Sequence, residues 1–169
     1  MSSRPLTLEC LAALAPAKAR LIGVDLGTKR IGLALSDVER RIATPLSTIE
    51  RKKFTADAQE LIAQIERFEV FALVFGLPLN MDGSEGPRAQ STRAFLRNFS
   101  ALSGTPFALW DERLSTAAVD RALIEQDVSR ARRAAVVDRM AAAYILQGAL
   151  DRLATIAGEN ASSPSKVVS

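Results

Sequence analysis

The chain has no histidine and a single cysteine, Cys10. Without an imidazole, Ser-His-Asp and Cys-His triads, histidine general bases and HExxH zinc chemistry are all excluded. One cysteine forms no internal disulfide and, with no histidine beside it, builds no usual structural zinc site. Aromatic residues make up only 5% of the sequence, so an aliphatic, alanine-rich interior is expected. No apolar run approaches the length that spans a bilayer, and the amino end lacks the pattern of a cleaved leader. A cytoplasmic protein without a membrane partner is therefore expected. If the chain is an enzyme, its chemistry falls to carboxylates, lysine, hydroxyls or a hard metal ion with oxygen ligands.

What is present fits one globular unit: 169 residues, 48% hydrophobic and 24% charged. The net charge of +3 and a pI near 9.4 suit a polyanionic partner, although so small an excess is common among proteins that bind none. Residues 1–20 read as an extension with one short helix, 21–153 as the domain, and 154–169 as a disordered tail poor in apolar residues. The apolar runs predict a hairpin from strands at 21–25 and 30–36 and an edge strand at 43–49, where Pro45 restricts pairing. A helix is expected over 54–68 with Thr55 as N-cap.

Val70-Phe71-Ala72-Leu73-Val74-Phe75 has the continuous apolar character of a strand buried on both faces. After a loop at 77–86, Pro87 opens a helix whose inward stripe is Thr92, Phe95, Leu96, Phe99 and Leu102. A strand at 107–110, a helix from Ser115 to about 126 with a staple between Leu114 and Val119, and a last helix to about 153 complete the order. The class is α/β, a mixed sheet of about five strands with helices on both faces. Ligands of such sheets lie beyond the carboxyl ends of central strands, where acidic residues occur twice in this chain.

Asp25 ends the first strand beside Gly27, which suits a turn aspartate or, with the close approach glycine permits, a metal ligand. After the strand at 107–110, Asp111 and Glu112 point opposite ways, so one of them faces the site. Asp138 is the unusual acid. Its neighbours three and four residues away are Ala134, Ala135, Ala141 and Ala142, so its own helix face offers no cation. A carboxylate on that small-residue stripe needs a metal ion or an arginine from elsewhere to offset its burial. If three acids converge, their repulsion disfavours the bare site, and a two-metal centre with ions ~4 Å apart would cleave a phosphodiester without histidine.

The segments Ile22-Gly23-Val24-Asp25-Leu26-Gly27-Thr28-Lys29-Arg30-Ile31-Gly32, Val74-Phe75-Gly76-Leu77-Pro78-Leu79-Asn80-Met81-Asp82-Gly83, Asp111-Glu112-Arg113-Leu114-Ser115-Thr116 and Val137-Asp138-Arg139-Met140-Ala141-Ala142 together resemble the RuvX/YqgF family, in order over about 21–151. These are Holliday-junction-resolvase-like proteins, also described as pre-16S rRNA nucleases. The resemblance implies an RNase H-like fold, magnesium or manganese as cofactor, and Asp25, Glu112 and Asp138 as catalytic metal ligands. It selects Glu112 over Asp111. It also implies ribosome biogenesis through processing at the 5′ end of pre-16S rRNA, or action on branched DNA. Similar resolvases work as dimers, which leaves a homodimer open.

Lys29, Arg30, Asn80, Arg113, Arg130, Arg132 and Arg133 are candidates for contact with the nucleic-acid substrate, although a basic run is more often a solvated face. The 76–86 loop suits a mobile wall of a substrate cleft as well as a plain connection. With few aromatics, recognition should rest on backbone charge and shape. Two other classes compete. An actin- or sugar-kinase-like ATPase shares Asp-x-Gly-Thr at its first phosphate loop, but this chain lacks the length and repeat of such proteins. A noncatalytic RNA-binding assembly factor on the same fold would be expected to have lost the acids.

Overall fold

The computed structural model describes residues 4–114 and 130–162, side chains at 130–134 excepted. Helix α1 (Leu8–Leu14) precedes the hairpin of β1 (Arg20–Leu26) and β2 (Arg30–Ser36), and β3 (Ala43–Glu50) follows antiparallel to β2. Pro45 lies opposite Ala34, where the β2–β3 register shifts, so the irregularity takes up the missing N–H. Next come α2 (Phe54–Arg67), β4 (Val70–Leu77), α3 (Pro87–Leu102), β5 (Phe107–Asp111), a 3₁₀ turn (Glu112–Leu114) and, after residues not described, helix α4 (Arg130–Ser162). The five strands stand in the order β3-β2-β1-β4-β5, with β1–β4 and β4–β5 parallel. The expected mixed sheet, hairpin and edge position of β3 are therefore observed.

Strand alternation splits the core into two faces. Ile22, Val24, Leu73 and Phe75 pack toward α2 and α3 with Leu61, Phe95 and Phe99. Leu21, Val74 and Trp110 pack on the other side with Leu11 of α1 and Ala142, Leu146, Ala149 and Leu150 of α4. The second face is thin. A Cβ built on Gly23 would lie 2.6 Å from Leu146 Cβ and 2.7 Å from the Ala142 carbonyl oxygen, and one built on Gly32 would overlap the Asp138 carbonyl oxygen. Glycine at these strand positions is what lets α4 settle onto the sheet.

Several expectations need correction. Lys53, not Thr55, stands at the N-cap of α2, and the buried Asp57 receives the Lys52 N–H at 2.9 Å instead. Leu102 is 53% exposed because α3 ends there and turns its last residue away from the sheet. The expected tail boundary at 153 falls inside α4, which continues to Ser162 because Leu153 and Ile156 prolong its buried stripe. Residues of the expected amino-terminal extension pack against the domain: Leu11 is fully buried, and the Leu6 N–H donates to the Phe107 carbonyl oxygen at 2.8 Å. The expected helix from Ser115, with its Leu114–Val119 staple, lies outside the described residues.

Gly32→Ala is expected to destabilise the protein by at least about 1–3 kcal/mol, the range for overpacking a filled site. Gly158→Ala, with nothing within 4 Å on the exposed side of α4, should stabilise by about 0.5–1 kcal/mol through helix propensity. Urea melts of the two variants should move in opposite directions, and a neutral Gly32→Ala would contradict the close approach.

Candidate active site

Directly paired strand residues point to the same face, and this decides what lies on either side of Asp25. Asp25 of β1 pairs with Gly32 of β2, and extending the β1–β4 register one residue past Val24–Phe75 places Gly76 on its other side. Neither neighbour has a side chain, so other elements can approach Asp25 from both sides. On the Gly32 side the backbone of α4 enters at Asp138. On the Gly76 side Glu112 enters: a Cβ on Gly76 would lie 2.5 Å from Glu112 Oε1. Across the carboxyl end of the sheet the order is thus Asp138, Asp25, Glu112. Asp25 is 3% exposed, whereas Glu112 and Asp138 are half-buried.

Asp138 has the arginine that was one of its two expected neutralising partners. Arg30 Nε donates to Asp138 Oδ2 at 3.0 Å, and Arg30 Nη1 stands 3.8 Å from Glu50 Oε1. Among the described residues no three acids are gathered tightly enough to share one ion as they stand. Asp25 and Asp138 do line one cleft of about 350 Å³, together with Gly27, Thr28, Lys29, Arg30 and Arg88. Arg88, on the first turn of α3, went unnoticed in the sequence because nothing local distinguishes it; only the fold brings it beside the hairpin turn.

That turn is fixed from the opposite side of the sheet. Gly27 N–H donates to the Arg30 carbonyl oxygen at 3.0 Å, and the Arg51 N–H donates to the Lys29 carbonyl oxygen at 2.9 Å. Arg51 Nη1 donates to the Gly27 carbonyl oxygen at 2.8 Å, while its Nε lies 3.7 Å from Asp57 Oδ2. Asp57 is 2% exposed and its Oδ2 accepts no hydrogen bond, so the Arg51 charge is what offsets its burial. Arg51 and Asp57 were also missed in the sequence.

Two other candidate substrate contacts are engaged inside the protein. Arg113 grips Asp111 with Nε–Oδ1 at 3.0 Å and Nη2–Oδ2 at 2.7 Å, and donates from Nη1 to the Met81 carbonyl oxygen at 3.3 Å. Asn80 Nδ2 donates to Ser84 Oγ at 2.9 Å, and the Gly83 N–H to the Asn80 carbonyl oxygen at 2.9 Å. The loop after β4 is therefore closed by its own hydrogen bonds, with Gly83 at φ +87° supplying its left-handed residue. Electrostatics reinforce it. The Arg113 hydrogen bond holds the Asp111 carboxyl below the ordinary carboxylate range, as the Ser84 hydroxyl does for Asp82 and the Arg93 guanidinium for Glu85. The side chains of Arg130, Arg132 and Arg133 lie outside the described residues.

Comparison with known proteins agrees with this architecture. The family model described as RuvX, Holliday junction resolvase, matches residues 19–152. A protein of Beijerinckia indica and one of Methylocella silvestris, both named "Putative pre-16S rRNA nuclease", are each 65% identical over 156 residues. The alignments cover 92% of this chain in both cases, and 94% and 97% of the relatives. Thermus thermophilus RuvC, solved with a Holliday junction substrate, superposes with a TM-score of 0.51 at 14% identity, over 81% of this chain and 97% of RuvC. That likeness shows the fold.

Two measurements check the geometry. Arg51→Met should destabilise by about 3 kcal/mol by leaving Asp57 buried and uncompensated, and adding Asp57→Leu should recover much of the loss; additive losses would refute the pairing. In an NMR titration, Asp82, Glu85 and Asp111 should each protonate below its unfolded-chain midpoint. Because their folded values are depressed, their contribution to loop order is complete above the unfolded values, near pH ~4, and is lost as pH falls through the folded ones. Ordinary midpoints for all three would show that these contacts do not persist in solution.

Proposed function

The chain belongs to the RuvX family, and from that premise we propose that it hydrolyses phosphodiester bonds of structured RNA, acting at the 5′ end of pre-16S rRNA during ribosome biogenesis, with Asp25, Glu112 and Asp138 as its catalytic acids. The observation that supports the mechanism is the glycine-flanked position of Asp25: Gly32 on one side admits the Asp138 backbone, Gly76 on the other admits the Glu112 carboxylate, and Asp25 and Asp138 line one cleft. The donor set is all oxygen, which suits magnesium or manganese. The space that a Cβ on Gly32 would fill is taken by the Asp138 backbone, and that of a Cβ on Gly76 by Glu112 Oε1 and Ile145, so both flanking elements reach in beside Asp25. Asp138 is paired with Arg30, so an ion at that end of the row would have to displace this guanidinium from the carboxylate.

Divalent ions held by these acids would activate the attacking water and stabilise the leaving oxygen. The protein's own residues supply the rest. Asp25, paired with Gly32 of β2 and next to the last β1–β4 pair, sets the position about which the two flanking acids are arranged. Lys29 and Arg30, at the hairpin turn, present cations to the substrate's phosphates in the same cleft. The rigid turn beneath them, tied to Arg51, limits how far they move. The family model's description as a Holliday junction resolvase supports a second reading in which branched DNA replaces RNA as substrate.

A precursor RNA with a 5′ extension and a four-way DNA junction should be incubated with magnesium or manganese and the products resolved on gels. Wild type is expected to cut the RNA. Asp25→Asn, Glu112→Gln and Asp138→Asn should each lose more than about a hundredfold, the upper end of what changes to groups beyond the metal ligands cost, with unchanged circular dichroism. Cutting of the junction alone would reassign the substrate. Full activity in Asp138→Asn would remove the three-acid mechanism.

A further inference from the structure

The acid cleft does not end at the hairpin turn. A second groove of about 180 Å³, lined by Leu26, Gly27, Thr28, Arg51, Pro87, Arg88 and Ser91, shares Gly27, Thr28 and Arg88 with it, so the two form one continuous depression. Their chemistry differs sharply. The first contains Asp25 and Asp138, whereas among the described residues no carboxylate lines the second. Resting on the nuclease reading above, we propose that this second groove is a subsite for a backbone phosphate of the nucleic-acid strand, next to the bond that lies over the acids, and that Arg88 is its principal ligand.

The case for Arg88 comes from how the neighbouring arginines are engaged. Arg30 is held by Asp138 and Glu50, Arg51 by the Gly27 carbonyl oxygen and Asp57, Arg93 by Glu85, and Arg113 by Asp111. Arg88 is different: among the described residues its guanidinium has no hydrogen-bond or ion-pair partner, and only its carbonyl oxygen is used, by Thr92 Oγ1 at 3.1 Å. The hydroxyls of Thr28 and Ser91 likewise have no intramolecular partner among the described residues. An exposed guanidinium flanked by two unengaged hydroxyls suits phosphate oxygens, which a planar fork can bind through two parallel N–H donors.

The position fits a strand as well as the chemistry does. A polynucleotide whose scissile phosphate sits over Asp25 carries another phosphate one sugar away on each side. A strand that leaves the acid cleft past the hairpin turn carries one of these over the rim, which Thr28 and Arg88 share with the groove. The groove floor is stiff, because Arg51 bonds to Gly27 and lies 6.0 Å from the centroid of the Phe95 ring. A phosphate bound there would therefore fix the distance between the held nucleotide and the acids, which is a means of placing the cut.

Binding of fluorescent precursor RNA and of the four-way junction should be followed by anisotropy in metal-free buffer across a range of salt concentrations. Wild type, Arg88→Ala, Arg88→Lys and, as a control on the far part of α4, Arg152→Ala should be compared on whichever probe wild type binds more tightly. Arg88→Ala is expected to bind several-fold more weakly and to lower the slope of log K against log salt by about 0.7–0.9, the value for one phosphate contact. Arg88→Lys should retain most of the slope, and Arg152→Ala all of it. A single neutral methylphosphonate, moved along the probe, should abolish the difference between wild type and Arg88→Ala at one position only. An unchanged slope in Arg88→Ala, or an equal loss in Arg152→Ala, overturns the subsite and leaves the nuclease reading intact. Wild type that binds neither probe overturns both.

Discussion

Helix α4 rests where side chains of the sheet would ordinarily stand, and the placement of Asp138 next to the strand that carries Asp25 follows from that close approach. Leu146 and Ala142 occupy the space above Gly23, the Asp138 backbone that above Gly32, and Ile145 with Glu112 that above Gly76. At a helix–sheet separation set by larger residues, Asp138 would stand clear of Asp25. The same spacing explains the composition of the face: Ala142, Ala143 and Ala149 are buried there because small side chains let helix and strands come together without a void. A Cβ on Gly148 would lie 2.7 Å from Trp110 Cζ2, so where the sheet presents a large side chain it is the helix that supplies the glycine.

The opposite face is built on a different rule. Phe54, Phe95 and Phe99 meet there, with Phe54 edge-on to Phe95 at 5.2 Å and Phe95 stacked on Phe99 at 6.0 Å; Phe75 and Phe107 are edge-on at 6.3 Å. Low aromatic content suggested an aliphatic, alanine-rich interior. That describes only the α4 face, because the few phenylalanines are concentrated on the other one. Bulk on one side and thinness on the other have a mechanical consequence. The packed aromatic layer anchors α2 and α3, which carry Asp57 and Arg88, while the thin layer admits the backbone of α4 to the acid row.

What could be read in the sequence was what depends on short-range pattern. Val70 to Phe75 announced a strand because a continuous apolar run has few other uses, and Gly27 with Lys29 marked the hairpin turn because two apolar runs flank it. Asp138 stood out by lacking a cation on its own helix face, and the structure supplies one from β2 in Arg30. The length of α4 was misjudged because Gly158, Asn160 and the following serines resemble a tail, whereas Leu153 and Ile156 still pack and keep the helix going. Arg51, Asp57 and Arg88 were invisible for a stricter reason. Each acts on a turn more than twenty residues away, and no local spacing encodes that.

The charges divide along the same line between holding the fold and facing a ligand. Asp57 is the most buried member of any ion pair described, yet it lies outside the acid row and serves it only through Arg51 and the Gly27 carbonyl oxygen. Its burial would be costly without Arg51, so the pair resists rearrangement and the turn inherits that stiffness. Arg113 and Asp111 do the same for the loop after β4. Arg30 belongs to both groups, since its ion pair with Asp138 stands inside the cleft itself. In this protein, reading function from arginine content alone misleads: among the described residues, Arg88 without a side-chain partner and Arg30 with a replaceable one both line the cleft at the carboxyl end of β1.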